Sequence, residues 1–456
     1  MSRGPRLLGF WMCVALVVGN MIGSGIFLLP ASLAPYGLNS VAAWLFTAGG
    51  AMLLAVVFAA LTRAFPTAGG PFAFTGMAFG DLAAFLVAWG YWISIWVGNA
   101  ALATGTVGYL GALIPQVTRQ PYLTFTTLGM VWLLTGVNIA GARAAGGLQM
   151  VTTVLKLAPL ALIAGLGAWL FVAADPGFLR AAHAPTPFRL DAVTAAATLT
   201  LWAMLGIECA AVPAGKVSDP ERTVPRATLI GTAVTALICV IACTTVILLV
   251  PAGRLASSTA PFADVATRFW GPAAGGWLAV FAAISGFGCL NGWVLMQGEV
   301  AAQMARQGVF PRLFARQNAR GAPVAALIVG SGLVSVVVLL NASKSTVQLF
   351  SFLILVSTAA TLVLYLACSL AALKLMATGR MAAGRSGWFV VPCAMAAALY
   401  ALWAIAGAGI STAPSDCGGA LICWARWWQN PVYLGFAMLA LGAPVYYAMR
   451  RRPNGA

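Results

Sequence analysis

Charge is what this sequence has least of. Only 7% of its 456 residues are Asp, Glu, Lys or Arg, against roughly 25% in an average soluble protein. That figure excludes a water-soluble globular chain. Nine residues are acidic and one is a histidine, and neither a cysteine–histidine metal spacing nor a nucleophile–base constellation is visible. An enzyme is therefore not expected, nor any cofactor or metal. The one histidine, His183, falls in a predicted loop and is assigned no role, so an intramembrane proton sensor has to be a carboxylate, a lysine or a tyrosine. Long polar stretches are missing too. Without a soluble module, the net charge of +16 does not point to nucleic acid.

What the chain does have is apolar length. Hydrophobic residues make up 61% of it, and the runs recur at about the 20 residues a spanning helix requires. Twelve spans are predicted, near 9–34, 41–62, 82–114, 122–140, 148–172, 192–215, 227–250, 274–304, 323–341, 346–375, 387–410 and 431–449. The first run continues past a secretory h-region with no cleavage site, and reads as a retained helix. Arg3, Arg6, Arg63, Arg143, Lys216, Arg222, Arg226 and the basic stretch Arg306 to Arg320 share the N-terminal side of this map. The opposite side carries fewer, among them Arg119, Arg189, Arg254 and Lys344. The positive-inside rule then makes both termini cytoplasmic, in a multi-pass protein of the cytoplasmic (inner) membrane. Arg63 to Asp81 is expected to be a short cytoplasmic turn. Cys417 and Cys423 share a loop, and a disulfide between them is possible if that loop faces an oxidising compartment.

Two spans contain residues that a continuous helix in lipid disfavours. Gly23-Ser24-Gly25 interrupts the first, and Leu205-Gly206-Ile207-Glu208, followed by Pro213 and Gly215, interrupts the sixth. Glycines weaken a helix, yet lipid offers no other partner for the backbone. An intentional break would expose the N–H groups of one half-helix to an anion and the last carbonyls of the other to a cation. A small-residue face for close helix packing is the competing explanation. Spans one and six open two blocks of five, and breaks at corresponding positions point to an inverted-repeat transporter with its site at mid-membrane. The blocks cover 1–172 and 192–375, with two added helices in 387–449.

Glu208 lies within the second break. A carboxylate at membrane centre costs roughly 2.5–3.5 kcal/mol, which makes it a functional candidate by default. Trp202 precedes the break by one helical turn, and Trp293 sits in the small-residue stretch of span eight; either indole could hold a cation. On span three, Tyr91, Ser94 and Asn99 fall near one helical face. Lys156, deep in span five, either snorkels to the interface or acts as a built-in cation.

These residues resemble the amino acid–polyamine–organocation superfamily and, within it, the basic amino acid/polyamine antiporters of the arginine/agmatine type. The resemblance covers nearly the whole chain. It rests on Gly19-Asn20-Met21-Ile22-Gly23-Ser24-Gly25-Ile26-Phe27, on Tyr91-Trp92 through Asn99, on Trp202 through Glu208, on Gly292-Trp293, on Gly308 to Pro311 and on Ser357 through Tyr365. It implies an all-α fold of five plus five inverted repeats with helices one and six broken, usually a homodimer through the last two spans. It implies that Ser24 and Gly25 hold a substrate carboxylate, and that carbonyls of Met21, Trp202 and Leu205 take its ammonium. Trp293 would stack on the substrate's side chain, with Asn99, Ser94 and Ser357 near the guanidinium. Trp202 would be a middle gate, and Tyr91, Glu208 and Tyr365 a deeper, acid-sensing one. Ile95, Leu102 and Lys156 depart from that type, and Lys156 resembles sodium-independent members, where an ammonium stands in for a bound ion. The leading expectation is exchange of external arginine for internal agmatine. The alternatives are a proton-coupled carrier or exporter of neutral amino acids, an exchanger of another cationic amino acid/polyamine pair and, remotely, a non-transporting sensor.

Overall fold

The computed structural model describes residues 9–66, 70–141, 155, 159–170, 172, 187–211, 217–308, 310–381, 387–411 and 430–450. Lys156, His183, Pro213, Gly215, Cys417 and Cys423 lie outside them, and so does Val309 of the Gly308 to Pro311 stretch. The described residues are all-helical, with no strand among them. They contain ten helices long and apolar enough to cross a membrane. Two shorter apolar helices, Pro159–Leu170 and Val324–Leu340, stand where the fifth and ninth spans are expected.

In chain order the helices used below are α1 (Phe10–Met21), α2 (Ser24–Leu33), α3 (Asn39–Ala64), α4 (Pro71–Phe79), α5 (Asp81–Gly111), α6 (Tyr122–Ile139), α7 (Pro159–Leu170) and α8 (Leu190–Trp202). They continue with α9 (Pro220–Leu249), α10 (Pro261–Trp270), α11 (Pro272–Arg306), α12 (Val324–Leu340), α13 (Thr346–Ala377), α14 (Gly387–Ser411), α15 (Pro431–Ala440) and α16 (Gly442–Arg450). One expectation needs correction. The stretch 63–81 is more than a turn, because Pro71 opens the nine-residue α4. Proline suits a first helical position, where its missing N–H has no partner to lose.

The centre of the molecule is α5 and α2. From Tyr91 to Tyr109 every residue of α5 is buried, as are all ten residues of α2. α5 packs along α13 and α11, while α9 lies against α3 and α1. Large apolar side chains such as Trp11, Leu340 and Trp388 point outward and are mostly exposed. Such a surface suits lipid rather than water. With no hydrophobic drive between helices in lipid, small hydroxyls join them: Thr47 to Thr200 at 2.7 Å, Thr135 to Ser331 at 2.6 Å and Ser32 to Ser351 at 2.8 Å.

Local sequence explains several helix details. Ser345 and Gln348 form a reciprocal capping box at the start of α13, which satisfies two otherwise orphaned donors. Pro30 inside α2 removes the N–H that would serve the carbonyl of Ile26. The Cys243 thiol of α9 donates to that carbonyl at 3.8 Å. One carbonyl further on, Tyr109 Oη donates to Phe27 O at 2.8 Å and accepts from Phe262 N at 3.2 Å. Three elements, α5, α2 and the start of α10, are thereby tied at one hydroxyl.

Candidate functional site

Both interruptions are present. α1 ends at Met21, Ile22 and Gly23 are extended, and α2 begins at Ser24. The parting thus falls at residues 22–23, so that Ser24 and Gly25 open the second half-helix. In the sixth span α8 stops at Trp202, a turn follows, and a 3-10 segment resumes at Ile207–Ala210. Gly206 makes the reversal with φ of +109°, a conformation that glycine reaches without strain. The two breaks touch, because a Cβ added at Gly206 would lie 3.4 Å from the backbone nitrogen of Met21.

A cavity of about 30 Å³ opens at this junction. Asn20, Met21 and Gly23 line it from the first break, and Trp202, Leu205 and Glu208 from the second. α5 contributes Tyr91, Ser94, Ile95, Gly98 and Leu102; Trp293 comes from α11, and Ser357 and Thr361 from α13. That volume has room for about two waters, so an amino acid enters only if the side chains around it move apart.

The polar geometry is specific. Trp293 Nε1 donates to Asn20 O at 3.2 Å, which pins the indole to the end of α1. Glu208 is fully buried and accepts from Tyr365 Oη at 3.1 Å. Tyr91 lies close enough to interact electrostatically with Glu208, although no hydrogen bond of good geometry joins them. Glu208 is the one ionisable carboxylate among the lining residues, and they include no Lys, Arg or His. Ser94 Oγ lies 3.0 Å from Ser357 Oγ and 2.5 Å from Thr361 Oγ1. Ser357 Oγ also donates to Ser94 O at 2.9 Å, and Thr361 Oγ1 to Ser357 O at 3.1 Å.

Of the residues singled out from sequence, Met21, Tyr91, Ser94, Trp202, Leu205, Glu208, Trp293 and Ser357 meet in this cavity. Tyr365 stands behind Glu208. Ser24 and Gly25 are adjacent but covered. The Ser24 hydroxyl donates to Leu102 O at 2.7 Å, and the Trp202 ring lies so close that a Cβ at Gly25 would be 1.7 Å from it. Asn99 does not line the cavity; it is buried with its amide donating to Gln297 Oε1 at 2.9 Å.

Residues 8–433 match the family described as amino acid permease. The chain belongs to that family. This permease falls with the basic amino acid/polyamine antiporters, and it is a multi-pass membrane transporter rather than an enzyme. It is 34% identical over 405 residues to a putative arginine/ornithine antiporter of Bacillus subtilis (strain 168), covering 81% of this chain and 85% of that one. It is 33% identical over 331 residues to the cadaverine/lysine antiporter of Escherichia coli (strain K12), covering 72% and 73%. It is 30% identical over 410 residues to the putrescine transporter PotE of Haemophilus influenzae, covering 90% and 93%.

Two polar residues of the permease escaped sequence reasoning. Thr361 follows Ser357 by one helical turn, and Gln297 follows Trp293 by one turn, so spacing along one face could have found both. Gln297 is fully buried and also donates to Leu327 O and Ser331 Oγ, each at 3.2 Å.

The contact between Gly25 and Trp202 carries a prediction. Gly25→Ala forces the indole aside, at the cost of about 1–3 kcal/mol typical of overpacking. The melting temperature falls, and adding Trp202→Ala restores much of the loss because the clashing ring is gone. If the double variant is less stable than the sum of both single effects, this contact is misplaced.

Proposed function

We propose that the permease is an alternating-access exchanger that takes in an external basic amino acid and releases a more cationic internal amine. The observation that carries this reading is two helix breaks meeting at a small aromatic and hydroxyl-lined cavity with one carboxylate. In this reading the N–H groups at Ser24 and Gly25 receive the carboxylate once Trp202 moves off them, since a half-helix N-terminus favours an anion. Carbonyls of Met21, Trp202 and Leu205 take the ammonium. The Trp293 face covers the side chain, with Ser94 and Ser357 at its far end, while Tyr91, Glu208 and Tyr365 close the deeper side. Lys156 replaces a bound cation. The arrangement behind it is twelve spans, five plus five inverted and two more, paired as a homodimer in the inner membrane with both termini cytoplasmic.

Arginine against agmatine is the pair the sequence resemblance implies. The relatives add arginine with ornithine, lysine with cadaverine, and putrescine. A decarboxylated product carries one more net positive charge than its parent amino acid. Exchange of an amino acid for its own decarboxylated product therefore exports positive charge, and a cytoplasmic decarboxylase, which consumes a proton, turns that cycle into acid removal. Proteoliposomes loaded with each amine and given each labelled amino acid outside test this. Uptake rises when the matching amine is inside. Uptake indifferent to internal amine at every pH sinks the exchange claim.

Ile95 and Leu102 both line the cavity and favour a second reading, transport of neutral amino acids. Competition by leucine or methionine, but by no basic amino acid, would establish it.

A further inference from the structure

The α5–α13 wall of the cavity offers polar side chains of one kind only. Tyr91, Ser94, Ser357 and Thr361 all present hydroxyls, and the planar amide nearest in sequence, Asn99, is engaged with Gln297. Ser94, Ser357 and Thr361 crowd together, and the balance of their protons against their contacts decides what they can hold. Ser357 donates to Ser94 O, and Thr361 donates to Ser357 O. Ser94 Oγ also meets both Ser357 Oγ and Thr361 Oγ1, and either atom of each pair can be the donor. Three hydroxyl protons thus face four contacts within the cluster, so protons are the scarcer resource. Each hydroxyl oxygen has two lone pairs, so what the cluster keeps for a ligand is acceptor capacity converging on one small region.

Acceptors gathered in this way suit a compact cation with three rotatable donors. They suit a guanidinium poorly, because its five donors spread in a fixed planar fork that matches a carboxylate or a similar planar group. Charge points the same way. Thr361 and Tyr365 are four residues apart on α13, a rise of about 6 Å, and Tyr365 bonds Glu208. A cation at the hydroxyl cluster therefore shares the cavity with its only lining carboxylate, with no lysine or arginine among the lining residues.

We propose that the far end of this site selects a primary ammonium over a guanidinium, so that lysine, ornithine and their diamines rank above arginine and agmatine, and that Thr361 is a specificity-determining residue for this choice. The inference rests on the exchange reading above and names its substrate class.

The test is competition in proteoliposomes, run once with labelled lysine and once with labelled arginine. Each unlabelled compound is added outside: lysine, ornithine, cadaverine and putrescine against arginine and agmatine, with norleucine as a neutral control. Lysine is expected to compete at least about tenfold better than arginine, since the two share a head group and differ at the far end. Arginine competing equally or better overturns the inference and leaves the exchange reading standing. Norleucine competing while no basic compound does overturns both. Thr361→Val, which keeps the shape and removes the hydroxyl, should weaken lysine about tenfold relative to arginine and norleucine, and Thr361→Ser should restore the preference. An equal loss for all three compounds would reduce Thr361 to a structural residue and overturn its role. The substrate panel on the unaltered protein decides the selectivity even if Thr361→Val does not fold.

Discussion

Trp293→Ala lowers affinity for a basic substrate by about 30-fold while the protein remains folded. A cation over an indole face in a desolvated site gains about 2 kcal/mol or more, and about 1.4 kcal/mol is a factor of ten. The Trp293 ring lines the cavity and its N–H holds the carbonyl of Asn20 at the end of α1. In the proposed exchange reading, removing it takes away the cation's aromatic partner and loosens the break whose carbonyls take the ammonium. Trp293→Phe separates the two effects, because it keeps a π face and loses the N–H. Equilibrium binding of labelled lysine and norleucine, with thermal unfolding alongside, checks the result. Lysine affinity should collapse in the alanine variant, recover partly in the phenylalanine variant, and exceed any change for norleucine. Unchanged lysine affinity in the alanine variant removes Trp293 from the site.

Glu208→Gln yields a transporter whose exchange rate varies within about twofold across the range where the parent responds to pH. Glu208 is fully buried, lines the cavity and accepts from Tyr365. Glutamine keeps an acceptor for that tyrosine and a side chain of nearly the same shape, but it cannot gain or lose a proton. Such a carboxylate changes the cavity's net charge by a full unit when it titrates, with no lining cation to offset it. The measurement is counterflow at a series of external pH values with internal pH fixed, then the reverse. A variant that keeps the parental profile on both sides assigns acid sensing elsewhere, Lys156 being the next residue to alter.

The apolar runs were readable residue by residue because lipid imposes one requirement on every span: roughly 20 apolar residues with their backbone bonds satisfied internally. The same requirement made the interruptions conspicuous. Gly23-Ser24-Gly25 and Leu205 to Glu208 stand out only because a helix in lipid rarely tolerates them, and both mark breaks in the structure. α4 was missed because Pro71 and the glycines around it read as a turn, whereas proline at a first helical position starts a helix. Gln297 and Thr361 were passed over for a different reason. A lone amide or hydroxyl on an apolar helix carries no local sign of what it faces.

Hydropathy and backbone preference act between near neighbours, so the chain alone dictated a membrane transporter with two parted helices and a buried glutamate at one of them. Which hydroxyls converge, and which way an amide turns, depends on pairings such as Ser94 with Ser357, 263 residues apart. Packing of α5 against α13 and α11 brought Thr361 into the cavity, turned Asn99 toward Gln297 and laid Trp202 over Gly25. Those choices belong to the folded molecule, because only close helix contact fixes where each donor and acceptor ends.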